Sequence, residues 1–139
     1  MAAKAKSWGS RLNQSKTPVV KLLEIDFAGL KSGTTMLVSS PQEVEAYINQ
    51  LPFGTARTVT QMRADLAQQH AADGTCPVST AIFLRVVAEA ALEQLDKGAS
   101  VENITPFWRV VDPADKVAKK LTCGPDFVKA QRAREGIQA

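Results

Sequence analysis

The chain has 139 residues, 45% of them hydrophobic and 22% charged, with a formal net charge of +3. That length fits one domain, and that composition excludes the low-hydrophobicity, high-charge signature of disorder. No apolar run approaches the roughly 20 residues needed to cross a bilayer, and no continuous apolar stretch follows the N-terminal lysines. A cytoplasmic location and no membrane partner are therefore expected.

Residues 1–18 mix Lys, Ser, Gly, Asn and Gln, with Trp8 and Leu12 as the main apolar positions, and read as a flexible basic arm. From Val19 to Phe27 the chain is apolar without a clean period, so a strand and a short helix both remain open. Ser32-Gly33-Thr34 reads as a loop, and Thr35 to Val38 as a short apolar stretch. Ser40, Pro41 and Glu43 are placed to cap a helix running to about Gln50, with Val44, Tyr47, Ile48 and Leu51 inward. Pro52-Phe53-Gly54 breaks it. Thr58 then caps a second helix with Val59, Met62, Leu66 and Ala67 as its apolar stripe.

After an Asp73-Gly74 turn, Pro77 opens a third helix whose expected buried face is Ile82, Phe83, Val86, Val87, Ala90, Ala91 and Leu95, closed by Lys97-Gly98. Residues 104–111 are β-branched and aromatic and predict a strand or extended segment. Asp112 to Lys116 turns the chain into an irregular basic stretch, and a last helix is expected from Pro125 to Glu135, ended by Gly136. Cys76 and Cys123 are too few and too far apart for a disulfide framework or a zinc site, so two free thiols, no metal and no cofactor are expected. The ends of the chain are basic and 32–105 is net acidic, a distribution that suits a partner meeting both ends.

Four short motifs occur in a meaningful order: Pro52-Phe53-Gly54, the helix begun by Thr58, Pro106-Phe107-Trp108-Arg109-Val110, and Glu135-Gly136-Ile137. Over about 51–137 this order resembles the DNA-binding domain of the alkylguanine DNA alkyltransferase and alkyltransferase-like family. The resemblance implies a mainly α fold with a small β wing, winged helix-turn-helix-like, over 41–139, after the arm of 1–18 and an extension of 19–40. It also implies double-stranded DNA as partner.

The family's alkyl-accepting cysteine falls at Phe107 and its histidine at Trp108. Suicide alkyl transfer therefore cannot run there, and no catalytic residue and no enzyme activity are expected. Glu135 matches the relay glutamate; the better reading is a carboxylate at the helix C-terminal surface or one anchoring a wing. The tyrosine that turns a phosphate falls at Val59 and the arginine wedge near Thr80, losses that count against base flipping.

Candidate DNA contacts are Thr58, Gln61, Ser79, Thr80, Arg85, Arg109, Lys119 and Lys120, with Phe107 and Trp108 as a candidate base pocket. Each has a plainer alternative: helix capping for Thr58, Ser79 and Thr80, bracing of the third helix for Arg109, a solvated charged face for the lysines, and the core for the two aromatics. Arg85 is the one cation on the third helix, followed by Glu89, Glu93 and Asp96, so only the first turns of that helix suit DNA. Cys76 sits just before that helix, where a thiol can be activated, but His70 is the only histidine. Two other functions stay open: a protein-interaction module or homodimer that keeps the fold without DNA, and an enzyme using Cys76.

Overall fold

The computed structural model describes residues 7–14 and 16–137. In chain order its elements are α1 (Trp8–Leu12), β1 (Val19–Leu22), β2 (Thr35–Val38), α2 (Pro41–Asn49), α3 (Val59–Gln69), β3 (Gly74–Thr75), α4 (Pro77–Asp96), 3₁₀ turns at Val101–Asn103 and Phe107–Arg109, α5 (Lys116–Lys120) and α6 (Gly124–Arg134). The architecture is mainly helical with a small three-stranded sheet of order β1-β2-β3.

Local chemistry explains the helix ends that the sequence marks. Ser40 accepts from the Glu43 N–H at 3.1 Å with Pro41 in the first turn of α2, whose Val44, Tyr47 and Ile48 are buried. Thr58 and Gln61 form a reciprocal capping box at α3, satisfying two otherwise orphaned N–H groups. Gly136 follows α6 at φ +77, the left-handed conformation that a helix terminus of this kind requires.

The expected flexible arm is corrected over its described part. Ser7 caps α1, which packs on α4 and buries Leu12, while the Glu93 carboxylate accepts from the N–H groups of Trp8 (2.9 Å) and Gly9 (3.0 Å). Residues 1–6 and 15 lie outside the described residues. The open choice at 19–27 resolves as a strand for Val19–Leu22, paired antiparallel with β2 in the register Val19↔Val38 to Leu22↔Thr35. The expected Asp73-Gly74 turn is partly a strand, because Gly74 and Thr75 pair in parallel with Met36 and Leu37. Asp73 locks that register by accepting from the Thr35 N–H and hydroxyl, and a Cβ at Gly74 would displace the Leu30 side chain, whose Cδ2 lies 2.5 Å from its position.

Helix α4 is enclosed on more sides than a single stripe provides. Phe83, Val86, Val87, Ala90 and Ala91 are buried as expected, but so are Leu84, Ala88 and Glu89, because α1, α2, α5 and the Phe107 turn all pack on it. Ile82 is corrected: it is 58% exposed. The segment 104–111 is not a strand. Phe107, Trp108, Val110 and Val111 are all buried, and adjacent residues cannot all face inward on a strand, whose side chains alternate; the 3₁₀ turn turns them together into the core. The basic stretch expected as an irregular loop, where a wing would sit, is α5. Ala118 and Leu121 point inward and the lysines outward, a helical division that leaves Lys116, Lys119 and Lys120 exposed. The three strands lie instead ahead of α4.

Candidate nucleic-acid interface

Glu135 organises the end of the chain. Its side chain is fully enclosed and accepts three hydrogen bonds: from Trp108 Nε1 at 2.6 Å, the Gly54 N–H at 2.8 Å and Arg109 Nε at 2.8 Å. Burial pushes its carboxyl pKa up, but the bonds from Arg109, Gly54 and Trp108 outweigh that and hold it below the usual range. The expected surface or wing-anchoring carboxylate is thus corrected to an interior node joining the Pro52–Gly54 break, the Phe107 turn and the end of α6. Gly54 sits at φ +83 and places its N–H on the carboxylate.

That node removes several expected contacts from solvent. Phe107 is 0% and Trp108 1% exposed; Phe107 stacks on Phe127 at a ring centroid separation of 6.0 Å and Trp108 meets Phe127 edge-on at 6.2 Å, so the expected base pocket is core. Trp108 is among the residues around a cleft of about 500 Å³ that is also bordered by Phe53, Asn103 and Arg134. Arg109 braces rather than reaches out: besides Glu135 it donates to the Leu51 carbonyl at 2.7 Å. Arg132 of α6 is buried and donates to the Trp108 carbonyl at 2.8 Å.

Thr80 is also corrected, being fully buried with its hydroxyl on the Cys76 carbonyl at 2.7 Å. Ser79 is half-buried and its Oγ has no hydrogen-bond partner among the described residues. Thr58 and Gln61 are exposed, but each spends its oxygen on the capping box of α3. Cys76 is buried, and its sulfur accepts from the Ser79 N–H at 3.5 Å. His70 Nε2 pairs with Glu43 Oε2 at 2.5 Å, so the histidine is committed to α2 and not to Cys76. Desolvation, reinforced by Glu89, pushes the half-buried Cys123 thiol up. Among the described residues, no group of three His, Cys, Asp or Glu side chains could hold a metal ion, and no helix is long and apolar enough to cross a membrane.

Three of the expected cations stay accessible and come together. Arg85 on α4 and Lys120 on α5 line a groove of about 210 Å³ with Arg11 and Trp8 of α1, over a floor of Ala81, Ile82, Val86 and Val117. Lys119 lies beside them on the exposed face of α5. Among the described residues the groove lining contains no carboxylate. Arg85 Nε lies 3.8 Å from Glu89 Oε2, one turn along α4, whose side chain is 1% exposed. Both Arg11 and Arg85 sit within cation–π range of the Trp8 ring, at 4.5 and 5.3 Å. Val78, 54% exposed, continues the apolar line of Ile82 one turn toward the start of α4.

The contribution of α1 was missed in sequence, since five residues carry no period. The Ser7-Trp8-Gly9-Ser10 run was the available signal, a capping serine before an anchor residue. Comparison with protein-family models, with curated proteins and with solved structures finds no match to this chain.

Proposed function

We propose that this chain is a non-enzymatic DNA-binding protein of the alkyltransferase-like type, with α3 and α4 as a winged-helix-like reading unit. The observation that carries the reading is the groove over the first half of α4, where Arg11, Arg85 and Lys120 gather without a carboxylate in the lining. Lys116 and Lys119 extend the positive surface along α5. Phosphates of a duplex supply the complementary charge, and exposed cations release counterions when they bind them.

The non-enzymatic part rests on Phe107, which offers no nucleophile, and on Trp108, whose indole donates to Glu135 where a histidine would shuttle a proton. Phe107 and Trp108 offer no face to an altered base, because both rings are core.

The test is binding of a short blunt duplex, plain and alkylated, at 50 and 200 mM salt. Three phosphate contacts predict a loss of affinity of about 40-fold over that range. Arg85→Ala should weaken binding and flatten the salt slope by about one unit. No association at 50 mM refutes the reading.

A second reading, a protein-interaction module, is favoured by β1. All four of its residues are exposed, Val20 and Leu22 share one face of it, and it forms the edge of the sheet among the described residues, with Ile25 and Phe27 also exposed just beyond it. Self-association that Leu22→Lys abolishes, with DNA ignored, would favour it.

A further inference from the structure

We propose that the groove between α1, α4 and α5 is a pocket for a single unpaired nucleotide, so that the chain prefers duplexes carrying an unpaired base over fully paired ones. This rests on the DNA reading and adds the part of the ligand that the groove accepts.

The groove has two chemically distinct halves. Its floor is aliphatic: Ala81, Ile82 and Val86 of α4 and Val117 of α5. Ile82 is 58% exposed there, an apolar surface that gains by being covered. Its walls are cationic and planar: the Trp8 indole, the Arg11 and Arg85 guanidiniums against it, and Lys120 opposite. A fully paired duplex offers the outside of the groove only phosphates, because its base faces are stacked away. An unpaired nucleotide offers both chemistries at once, a planar base face for the floor and the Trp8–Arg cluster, and a phosphate for the cations. Unstacked bases are held in this manner by aromatic rings and by guanidinium planes. A volume of about 210 Å³ holds one planar ring system and no second strand.

Two further observations make the groove a built one. The wall contributed by α1 is fixed, because Glu93 holds the Trp8 and Gly9 N–H groups. Arg85 is anchored as well: its Nε is enclosed and lies 3.8 Å from Glu89 Oε2, an ion pair that fixes the guanidinium beside the floor. Two of the wall residues, Trp8 and Arg11, lie outside the region that carries the family resemblance, so the pocket is a property of this chain's own N-terminal helix.

The test uses the full chain and fluorescence anisotropy with three probes at equal salt: a blunt duplex, the same duplex with a one-thymidine bulge, and the same duplex with a short oligothymidine overhang. The expected result is binding at least about 5-fold tighter to the two probes with unpaired bases, with a change in Trp8 emission isolated by subtracting a Trp8→Phe variant. Ile82→Ser, an exposed substitution that leaves the fold intact, should erase the preference while blunt-duplex affinity stays. Equal affinity for all three probes overturns the pocket and leaves the DNA reading standing. A preference that survives both Ile82→Ser and Trp8→Ala overturns it by placing the unpaired base elsewhere. Light scattering that shows a dimer lost in Ile82→Ser overturns it in favour of a surface between copies. Failure to bind any of the three probes at low salt removes the DNA reading itself.

Discussion

Replacing Glu135 with glutamine tests whether the end of the chain is held as described. The carboxylate accepts from Trp108 Nε1, the Gly54 N–H and Arg109 Nε at 2.6, 2.8 and 2.8 Å, within a fully enclosed site. A glutamine keeps one oxygen acceptor but turns an NH₂ toward at least one of those donors and leaves Arg109, whose side chain is 13% exposed, without its countercharge. Charge-assisted hydrogen bonds contribute about 1.5–3 kcal/mol each, and breaking one side of a buried ion pair costs about 3–5 kcal/mol. The expected loss is therefore about 3–5 kcal/mol in urea unfolding followed by tryptophan fluorescence, or a fall in Tm of roughly 10–20 °C for a domain of this size.

The pH dependence adds an independent check. The folded Glu135 carboxyl lies below its unfolded value, so its stabilisation is fully present above the ordinary glutamate pKa of about 4.3 and is lost as pH falls through the lower folded value. The gap between wild type and Glu135→Gln should be widest at neutral pH and narrow on acidification. A variant within about 1 kcal/mol of wild type at pH 7, or a gap that does not change with pH, refutes the node.

Other expectations follow from particular residues. Phe107→Ala opens a cavity against Trp108 and Phe127 and should cost about 3–5 kcal/mol in denaturant unfolding, which a surface base platform would not. Gly54→Ala forces a Cβ into a φ of +83 and to 3.4 Å from the Glu135 carbonyl oxygen, so a destabilisation of about 1 kcal/mol or more is expected. Glu93→Gln weakens the carboxylate clamp on α1. Hydrogen exchange at Trp8 and Gly9 should accelerate while α4 stays protected. Thiol labelling should leave Cys76 untouched in the native state and reach Cys123 with a pH midpoint above the ordinary thiol value of about 8.5.

Much of the helical framework was legible because it is written in neighbouring residues. Ser40-Pro41 and Thr58 to Gln61 set their own caps within a single turn, so the starts of α2 and α3 could be read without knowing what they pack on. The candidate site was less legible. Thr80 looked like a free hydroxyl at a helix start, but its nearest acceptor is the Cys76 carbonyl one turn back, and the packing around α4 covers it. Arg109 looked equally ready for a phosphate, and its fate depended on Glu135, 26 residues further on.

What the sequence by itself determined is the set of local decisions: where α2, α3, α4 and α6 begin, where α2, α4 and α6 end, the inward faces of α2 and α3, and basic ends around an acidic middle. Tertiary structure decided which of several apolar faces of α4 is covered, that residues 107–111 turn inward together instead of alternating, and that α1 and α5 bring Arg11, Arg85 and Lys120 to one groove. The physical reason is range. Capping and turn chemistry act over three or four residues, whereas burial and ion pairing are set by whatever the fold brings alongside, as Glu93 meets Trp8 and Glu135 meets Gly54 across more than 80 positions of chain.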